Sequence, residues 1–300
     1  MCIENMIQGH SEKATSIIVL STAAGAVCIP PGLVGHTETV TPPTASSFTC
    51  PPVQELRRLL GRRRDRREAS AFVVEGPVLI GEAFAAGWDV RRQFVPDSQR
   101  DVAIDGVDIV VVADDVLPRL RSTQAPQAPL AIVAMPETTP ASLRSASFVV
   151  VLDRVADPGN LGTILRSAEA AGADAVVLTP GSVDQFSPKV VRASAGALFH
   201  VPVVETELDA VAEAGLHLVG TSSHNQPDRT VEAHTAIDLT QRIAIVMGNE
   251  AAGLPDEWND EVGPIRRWVT IPHAGRSESL NVAMATTVLA FELARQRSQK

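Results

Sequence analysis

VLDRVADPGNLGTILRSAEAAG, residues 151–172, reads as a strand, a tight turn and a helix. The opening run is apolar and rich in β-branched residues, and Asp157, Pro158 and Gly159 supply the turn. Leu161, Ile164, Leu165, Ala168 and Ala171 then recur at the spacing of a buried helical stripe, with Asn160 well placed to cap the helix. Two later stretches share this plan. IAIVMGNEAAGLPDEW, residues 243–258, is a second apolar run ending in Gly248, Asn249 and Glu250, with Gly253 close behind. VTIPHAGRSESLNVAMATTVLAFE, residues 269–292, is a short strand closed by Pro272, a polar turn through Gly275 and a long helix. In each, the polar and glycine-rich residues follow the carboxyl end of an expected parallel strand, the edge at which open α/β sheets bind ligands.

Around these stretches, strands are expected at residues 148–152, 175–178, 216–220, 243–248 and 268–271, with helices between most of them. That pattern predicts a parallel sheet covered on both faces, in a unit spanning residues 139–300. Upstream, Leu56, Leu59 and Leu60 recur at helical spacing among arginines. FVVEGPVLIGEAFAAG, residues 72–87, then reads as strand, turn at Gly76-Pro77 and helix, and β-branched runs follow at 109–113 and 130–134. Residues 51–138 are therefore expected to form a small α/β domain, with a linker where Pro, Thr and Ser cluster at 136–145. Residues 1–50 show no sustained period and are rich in Ser, Thr, Pro and Gly, the composition of a disordered tail.

The chain of 300 residues is long enough for two cores. Aromatics make up only 4% and Tyr is absent, which argues against a base-stacking platform for single-stranded nucleic acid. A net charge of −9 is unfavourable for a polyanion partner until it is resolved along the chain. Residues 54–68 hold seven arginines against Glu55, Asp65 and Glu68, a local balance of +4. Arg62, Arg63, Arg64, Arg66 and Arg67 are its densest part, and they are the expected contacts for a polyanion such as a nucleic acid. Cys2, Cys28 and Cys50 offer neither a disulfide framework nor metal-ligand spacing, so a reduced cytoplasmic setting is the simplest expectation. The apolar patch 16–34 is broken by Gly25, Pro30, Pro31 and Gly32, too short to span a bilayer, and Glu4 and Glu12 make a poor secretory leader. The histidines have no metal spacing with acids or cysteines, and no metal is expected. No G-x-G-x-x-G follows a strand and no G-x-S-x-G is present, which counts against a dinucleotide cofactor and serine-hydrolase chemistry.

The three stretches resemble the signature motifs of the SpoU, or TrmH-like, RNA 2′-O-ribose methyltransferases of the SPOUT class. The match runs through Asn160, Gly162 and Arg166, then Gly248, Asn249, Glu250 and Gly253, then Ile271, Pro272, Ser279, Leu280, Asn281 and Val282. The segment KVVRASAG, residues 189–196, also looks like the family, and residues 51–138 resemble the substrate-binding domain that many SpoU enzymes carry. The resemblance implies a SPOUT-type α/β fold, a parallel sheet with a C-terminal trefoil knot, preceded by the RNA-binding domain. Periodicity alone suggests only an ordinary Rossmann-like sheet.

The resemblance further implies S-adenosylmethionine as cofactor, enclosed by the second and third loops, with Gly248, Ile271 and Leu280 in contact and Thr221 a weaker candidate. It implies an RNA ribose as substrate, with ribosomal RNA favoured over transfer RNA, and a homodimer in which two chains complete each site. A non-catalytic RNA-binding protein of the same fold is the alternative from another class. Arg166 leaves the core face of its helix by periodicity, and the family's spacing makes it the activator of the 2′-hydroxyl. Asn160, Glu250, Ser279 and Asn281 are expected to position ribose, Arg166 and cofactor. Asn160, Ser279 and Asn281 are equally suited to capping, and Glu250 to a solvated loop. In the terminal helix Leu280, Met284, Thr287, Val288 and Phe291 are the expected buried stripe.

Overall fold

The structure, a computed structural model, describes residues 48–120, 127–222, 230–259, 263–276 and 279–300. Residues 1–47 of the expected N-terminal tail, with Cys2 and Cys28, lie outside the described residues; Phe48 and half-buried Cys50, at its end, pack against the first core. Among the described residues no helix is long and apolar enough to cross a membrane.

The N-terminal half opens with α1 (Pro51–Gly61), which starts on prolines and buries Val53, Leu56 and Leu59, and α2 (Arg63–Ala69), closed by Ser70 in the left-handed region. There follow β1 (Ala71–Glu75), α3 (Pro77–Ala85), β2 (Val90–Pro96), β3 (Ile109–Val112), α4 (Val116–Arg119) and β4 (Leu130–Ala134). The sheet order is β1-β4-β2-β3, antiparallel except where β2 meets β3. Sequence periodicity passes over β2, whose VRRQFVP alternates only at its start before turning fully buried.

Residues 135–147 lead into the second sheet. Its elements are β5 (Phe148–Leu152), α5 (Pro158–Ala170), β6 (Ala175–Leu178), α6 (Pro188–Ala193), β7 (Val203–Glu205), α7 (Leu208–Glu213), β8 (His217–Thr221), β9 (Val231–Ala233), β10 (Ile243–Met247), β11 (Arg267–Thr270) and α8 (Val282–Ser298). The seven strands are all parallel, in the order β7-β6-β5-β10-β8-β11-β9. Every residue of β5 and β10 is buried, as both faces of a covered parallel strand require. Leu161, Ile164, Val190 and Leu289 of α5, α6 and α8 cover one face; Leu143, Leu208 and Val211 belong to the core on the other. The strand order changes direction between β5 and β10, so the loops leaving these central neighbours diverge and open a crevice at their carboxyl ends.

Of the α8 stripe expected inside, Met284 is 63% exposed and Phe291 48%, and Leu280 and Val288 are also exposed. The residues that meet the core are Val282, Ala283, Thr286, Leu289, Ala290 and Leu293. α8 has two apolar faces. α8 packs on α5, where Thr287 Oγ1 meets Ser167 Oγ at 2.6 Å, and the face carrying Met284, Val288 and Phe291 is left outside.

The N-terminal half docks on the α5–α6 face. Phe72 packs on Phe186 with ring centroids 4.7 Å apart and meets Trp88 edge-on at 5.9 Å, while Trp88 Nε1 donates to the Phe199 carbonyl at 3.0 Å. Arg66 is only 3% exposed. Its Nη2 and Nε donate to Asp184 Oδ2 at 2.6 and 3.0 Å, and Nη1 donates to the carbonyls of Leu59 and Gly61 at 2.9 and 3.0 Å. The expectation that Arg66 contacts RNA is therefore corrected: its guanidinium is consumed inside the protein. Arg63 donates to the Ser182 carbonyl at 3.1 Å and to Glu205 at 2.9 Å, and Arg67 donates to the other Glu205 oxygen. Burial raises the Glu205 carboxyl, but Arg63 and Arg67 outweigh it and hold the group below its usual range. Its pairing therefore stabilises above the usual 4.5 and is lost only as pH falls through the lower folded value. Arg62 and Arg64 remain exposed.

The two kinds of arginine should separate in denaturant. Asp184→Ala leaves a buried guanidinium unpaired and should cost about 3–5 kcal/mol in urea unfolding, whereas Arg64→Ala, which loses only an exposed pair to Glu68, should cost under about 1 kcal/mol. Equal losses would show that the buried pair carries no special weight.

Candidate active site

At the crevice, α5 begins with Asp157 as its cap: the side chain accepts from Asn160 N at 2.8 Å, and Pro158 occupies the first helical turn. Asp157 thus takes the capping role that Asn160 also fitted, and the Asn160 side chain is free to reach across the crevice. Its Nδ2 donates to Glu250 Oε1 at 2.9 Å, and its Oδ1 accepts from Asn281 Nδ2 at 3.0 Å. Asn281 caps α8 at the same time, its Oδ1 accepting from Ala283 N and Met284 N at 2.9 and 3.3 Å. One hydrogen-bonded chain, Glu250–Asn160–Asn281, therefore joins all three loops.

Glu250 also receives the backbone N–H groups of Ala156 and Asp157, both at 3.4 Å. Partial burial raises its pKa, but the Asn160 side chain and these backbone donors prevail and hold it below the usual range, so it is ionised at neutral pH. Asn249 fixes the loop beside it. Its Nδ2 donates to the Arg154 carbonyl at 2.8 Å, and its Oδ1 accepts from Ala251 N and Ala252 N at 3.0 Å. Asn249 was legible only as part of the Gly-Asn-Glu turn; nothing local signals the bond to residue 154.

Gly248 is needed for a reason the sequence did not show. A Cβ there would lie 2.4 Å from the Gly253 carbonyl carbon and 2.6 Å from Leu254 N, because the loop folds back on itself through a bridge between Asn249 and Gly253. The glycine first serves close approach of backbone to backbone. Thr221 and Ile271, at the ends of β8 and β11, are half-buried, and Thr221 Oγ1 donates to the Val246 carbonyl at 3.0 Å. Leu280 and Ser279 are exposed just before α8. No group of three or more His, Cys, Asp or Glu placed to hold a metal ion occurs among the described residues.

Arg166 is exposed on the outer side of α5 and does not enter the Glu250 network. It lines an open groove of about 700 Å³ with Thr163, Ser167, Phe291 of α8, and Glu82 and His200, whose side chains meet at 2.6 Å. In one chain the expected activator and the expected positioning residues therefore lie on different sides of the same helix.

The family model described as SpoU rRNA Methylase family matches residues 147–291, and the MRM3-like substrate binding domain matches residues 51–131. The chain is 34% identical over 241 residues to the 23S rRNA (guanosine(2553)-2′-O)-methyltransferase RlmP of Bacillus subtilis, covering 78% of this chain and 92% of that protein. Among solved structures, an AdoMet-bound rRNA methyltransferase from Sinorhizobium meliloti superposes with a TM-score of 0.72 at 31% identity, over 84% of this chain and 97% of that one. The SpoU methyltransferase AviRb from Streptomyces viridochromogenes, in complex with AdoMet, gives a TM-score of 0.71 at 32% identity, over 82% and 97% of the two chains. With motif loops that meet through Glu250, Asn160 and Asn281, and likeness along most of its length, the chain belongs to the SpoU rRNA methylase family.

Proposed function

We propose that the protein transfers a methyl group from S-adenosylmethionine to a ribose 2′-hydroxyl of ribosomal RNA. The observation that carries the reading is the chain Glu250–Asn160–Asn281, which brings the three motif loops to one point at the carboxyl edge of the sheet. Relatives named as 23S rRNA 2′-O-methyltransferases, and neighbours with AdoMet bound, favour this substrate and cofactor over transfer RNA. The knotted threading of the last strands and α8 is inferred from family membership.

The residues present fit the cofactor. Half-buried Ile271 and exposed Leu280 offer apolar contact, the folded-back 248–254 loop offers backbone polar groups, and the Thr221 hydroxyl is held at the end of the strand next to β10 by the Val246 carbonyl. When bound, the cofactor supplies an electrophilic methyl group on a sulfonium whose departure leaves a neutral thioether, so no general acid is required of the protein. What the chain must do is orient the hydroxyl and stabilise the charge developing on it. Glu250 and Asn281 hold the Asn160 amide in one orientation, and exposed Ser279 precedes Asn281 by two residues in the third loop. Arg166, whose guanidinium offers N–H donors and no acceptor and so cannot serve as the base, holds the neighbouring phosphate and stabilises the developing oxyanion, the proton passing to phosphate or water.

Arg166 reaches such a position most directly if a second copy faces α8, and a homodimer is part of this reading. Leu280, Met284, Val288 and Phe291 form an exposed apolar stripe along α8, continuous with the groove that Arg166 lines. Exposed Arg62 and Arg64 of the N-terminal half, which we read as the RNA-binding domain, are available to phosphates; Arg63 and Arg67 are shared with Glu205. A cytoplasmic location belongs to the same proposal, since that is where ribosomal RNA meets its modifying enzymes.

Transfer of labelled methyl from S-adenosylmethionine to ribosomal RNA, with the product mapped to a 2′-oxygen, tests the reading directly; binding of RNA without transfer would favour a non-catalytic protein. Arg166→Ala should lower the single-turnover rate about 10²- to 10³-fold while leaving cofactor affinity by calorimetry nearly unchanged. A near-normal rate would remove Arg166 from the mechanism. Gly248→Ala should destabilise the folded-back loop by about 1–3 kcal/mol and weaken cofactor binding, read from thermal melts with and without the cofactor. Light scattering should give a dimer mass for the active protein, and Met284→Glu with Phe291→Glu should give a monomer; a monomeric active wild type would defeat the dimer.

A further inference from the structure

Arg154, in the loop between β5 and α5, adopts φ 51°, a left-handed conformation that a long side chain rarely takes. It is held there from three sides. Its N–H donates to Thr179 Oγ1 at 3.1 Å, its carbonyl accepts from Asn249 at 2.8 Å, and its Nε and Nη2 each lie 2.9 Å from Asp153 Oδ2. Asp153 is itself buried, its other oxygen accepting from Thr179 Oγ1 at 2.8 Å. Backbone strain kept by this many bonds marks a side chain being aimed. The Arg154 side chain remains 47% exposed, and its Nη1 has no partner among the described residues.

The surroundings show where it is aimed. The Arg154 side chain lies over Gly181, where an added Cβ would stand 3.4 Å from its Cγ. The next residue, Ser182, gives its carbonyl to Arg63, and Arg63 and Arg67 share Glu205 at the end of β7. Glu205, the 181–182 turn, Arg154 and the Asn249–Glu250 turn thus follow β7, β6, β5 and β10, which are consecutive neighbours in the sheet. At about 4.8 Å between strands, this edge runs roughly 15 Å, comparable to about four stacked nucleotides of one strand.

We propose that Arg154 is a phosphate-binding residue that continues the arginines of α2 across the carboxyl edge of the sheet, so that the RNA strand runs from α2 over the 181–182 turn to the ribose site at Glu250 and Asn160. The inference rests on the RNA-methylating reading. Asp153 fixes the plane of the guanidinium, and the remaining N–H donors meet a phosphate oxygen. Gly181, whose φ of 92° favours glycine, leaves the turn beside Arg154 without a side chain.

The test is equilibrium binding, which needs no turnover. Arg154→Asn tolerates the left-handed backbone and removes the charge, and Arg154→Gly removes the strain as well. Fluorescence anisotropy with a labelled mixed-sequence oligoribonucleotide of about 20 residues, between about 50 and 200 mM salt, should show roughly 3- to 10-fold weaker binding for both variants. The slope of log affinity against log salt should flatten by about 0.7, one phosphate contact on a single strand. Cofactor affinity should be unchanged; both variants leave buried Asp153 without its ion partner and should melt below wild type, so binding is compared at a temperature where each remains folded. An unchanged salt slope in both variants would overturn the proposal, as would weakened binding that tracks a loss of cofactor affinity. Wild-type methyl transfer, measured alongside, tests the activity separately, so failure of one is not failure of the other.

Discussion

One carboxylate organises the site. Glu250 stands just past the end of the strand next to β5, and three of the donors it collects come from the segment after that other strand, two backbone N–H groups and the Asn160 amide, with a further contact from its neighbour Asn249. Asn160 in turn reaches Asn281, which caps the terminal helix. Segments about 90 and 121 residues apart are therefore tied by two side-chain bonds. Neutralising the carboxyl would turn an acceptor into a group that competes with its own donors, and the low pKa of Glu250 is the electrostatic record of how well those donors are matched. The parallel sheet sets the distance between loops; the carboxylate sets their register.

Much of the second sheet was legible, because buried parallel strands leave uninterrupted apolar runs such as IAIVM and FVVVL. β7 and β9 were not, since three-residue strands at or near the edges carry too little pattern to stand out. Helix faces were harder still. In α8 two apolar stripes interleave at helical spacing, and periodicity cannot say which one meets the core; the stripe of Val282, Ala283, Thr286, Leu289, Ala290 and Leu293 does. Capping was ambiguous for a similar reason. Asp157 and Asn160 both have the chemistry of a cap, and only the position of Pro158 in the first turn gives the role to Asp157. The two asparagines and the glutamate are visible in the motifs, whereas the bonds between them depend on a sheet order that no local pattern encodes.

The arginine-rich segment shows the limit of reading charge along a chain. A run of like charges implies a partner of opposite sign, which is correct for both destinations the structure gives it. The sequence does not say that the partner of Arg66 is Asp184, and that of Arg63 and Arg67 is Glu205, because those acids lie more than a hundred residues away. The run is divided: one face turns toward the second sheet, where Arg66 is buried against Asp184 and Arg63 and Arg67 pair with Glu205 nearer the surface, while Arg62 and Arg64 look outward.

The apolar core crosses from one half to the other without a break. Phe72, Val74, Ile80 and Val133 of the first sheet and its helix belong to the same buried cluster as Phe148, Leu161, Val190 and Phe199. Such continuity restricts how this architecture can change over evolutionary time. A different N-terminal half could not simply be exchanged to redirect the protein to another RNA, because the replacement would have to present an aromatic against Phe186 and a guanidinium against Asp184. New targets are reached more readily by altering exposed positions on a retained frame. Divergence should therefore concentrate in surface loops and outward arginines, while the seam between the halves drifts slowly and in matched pairs.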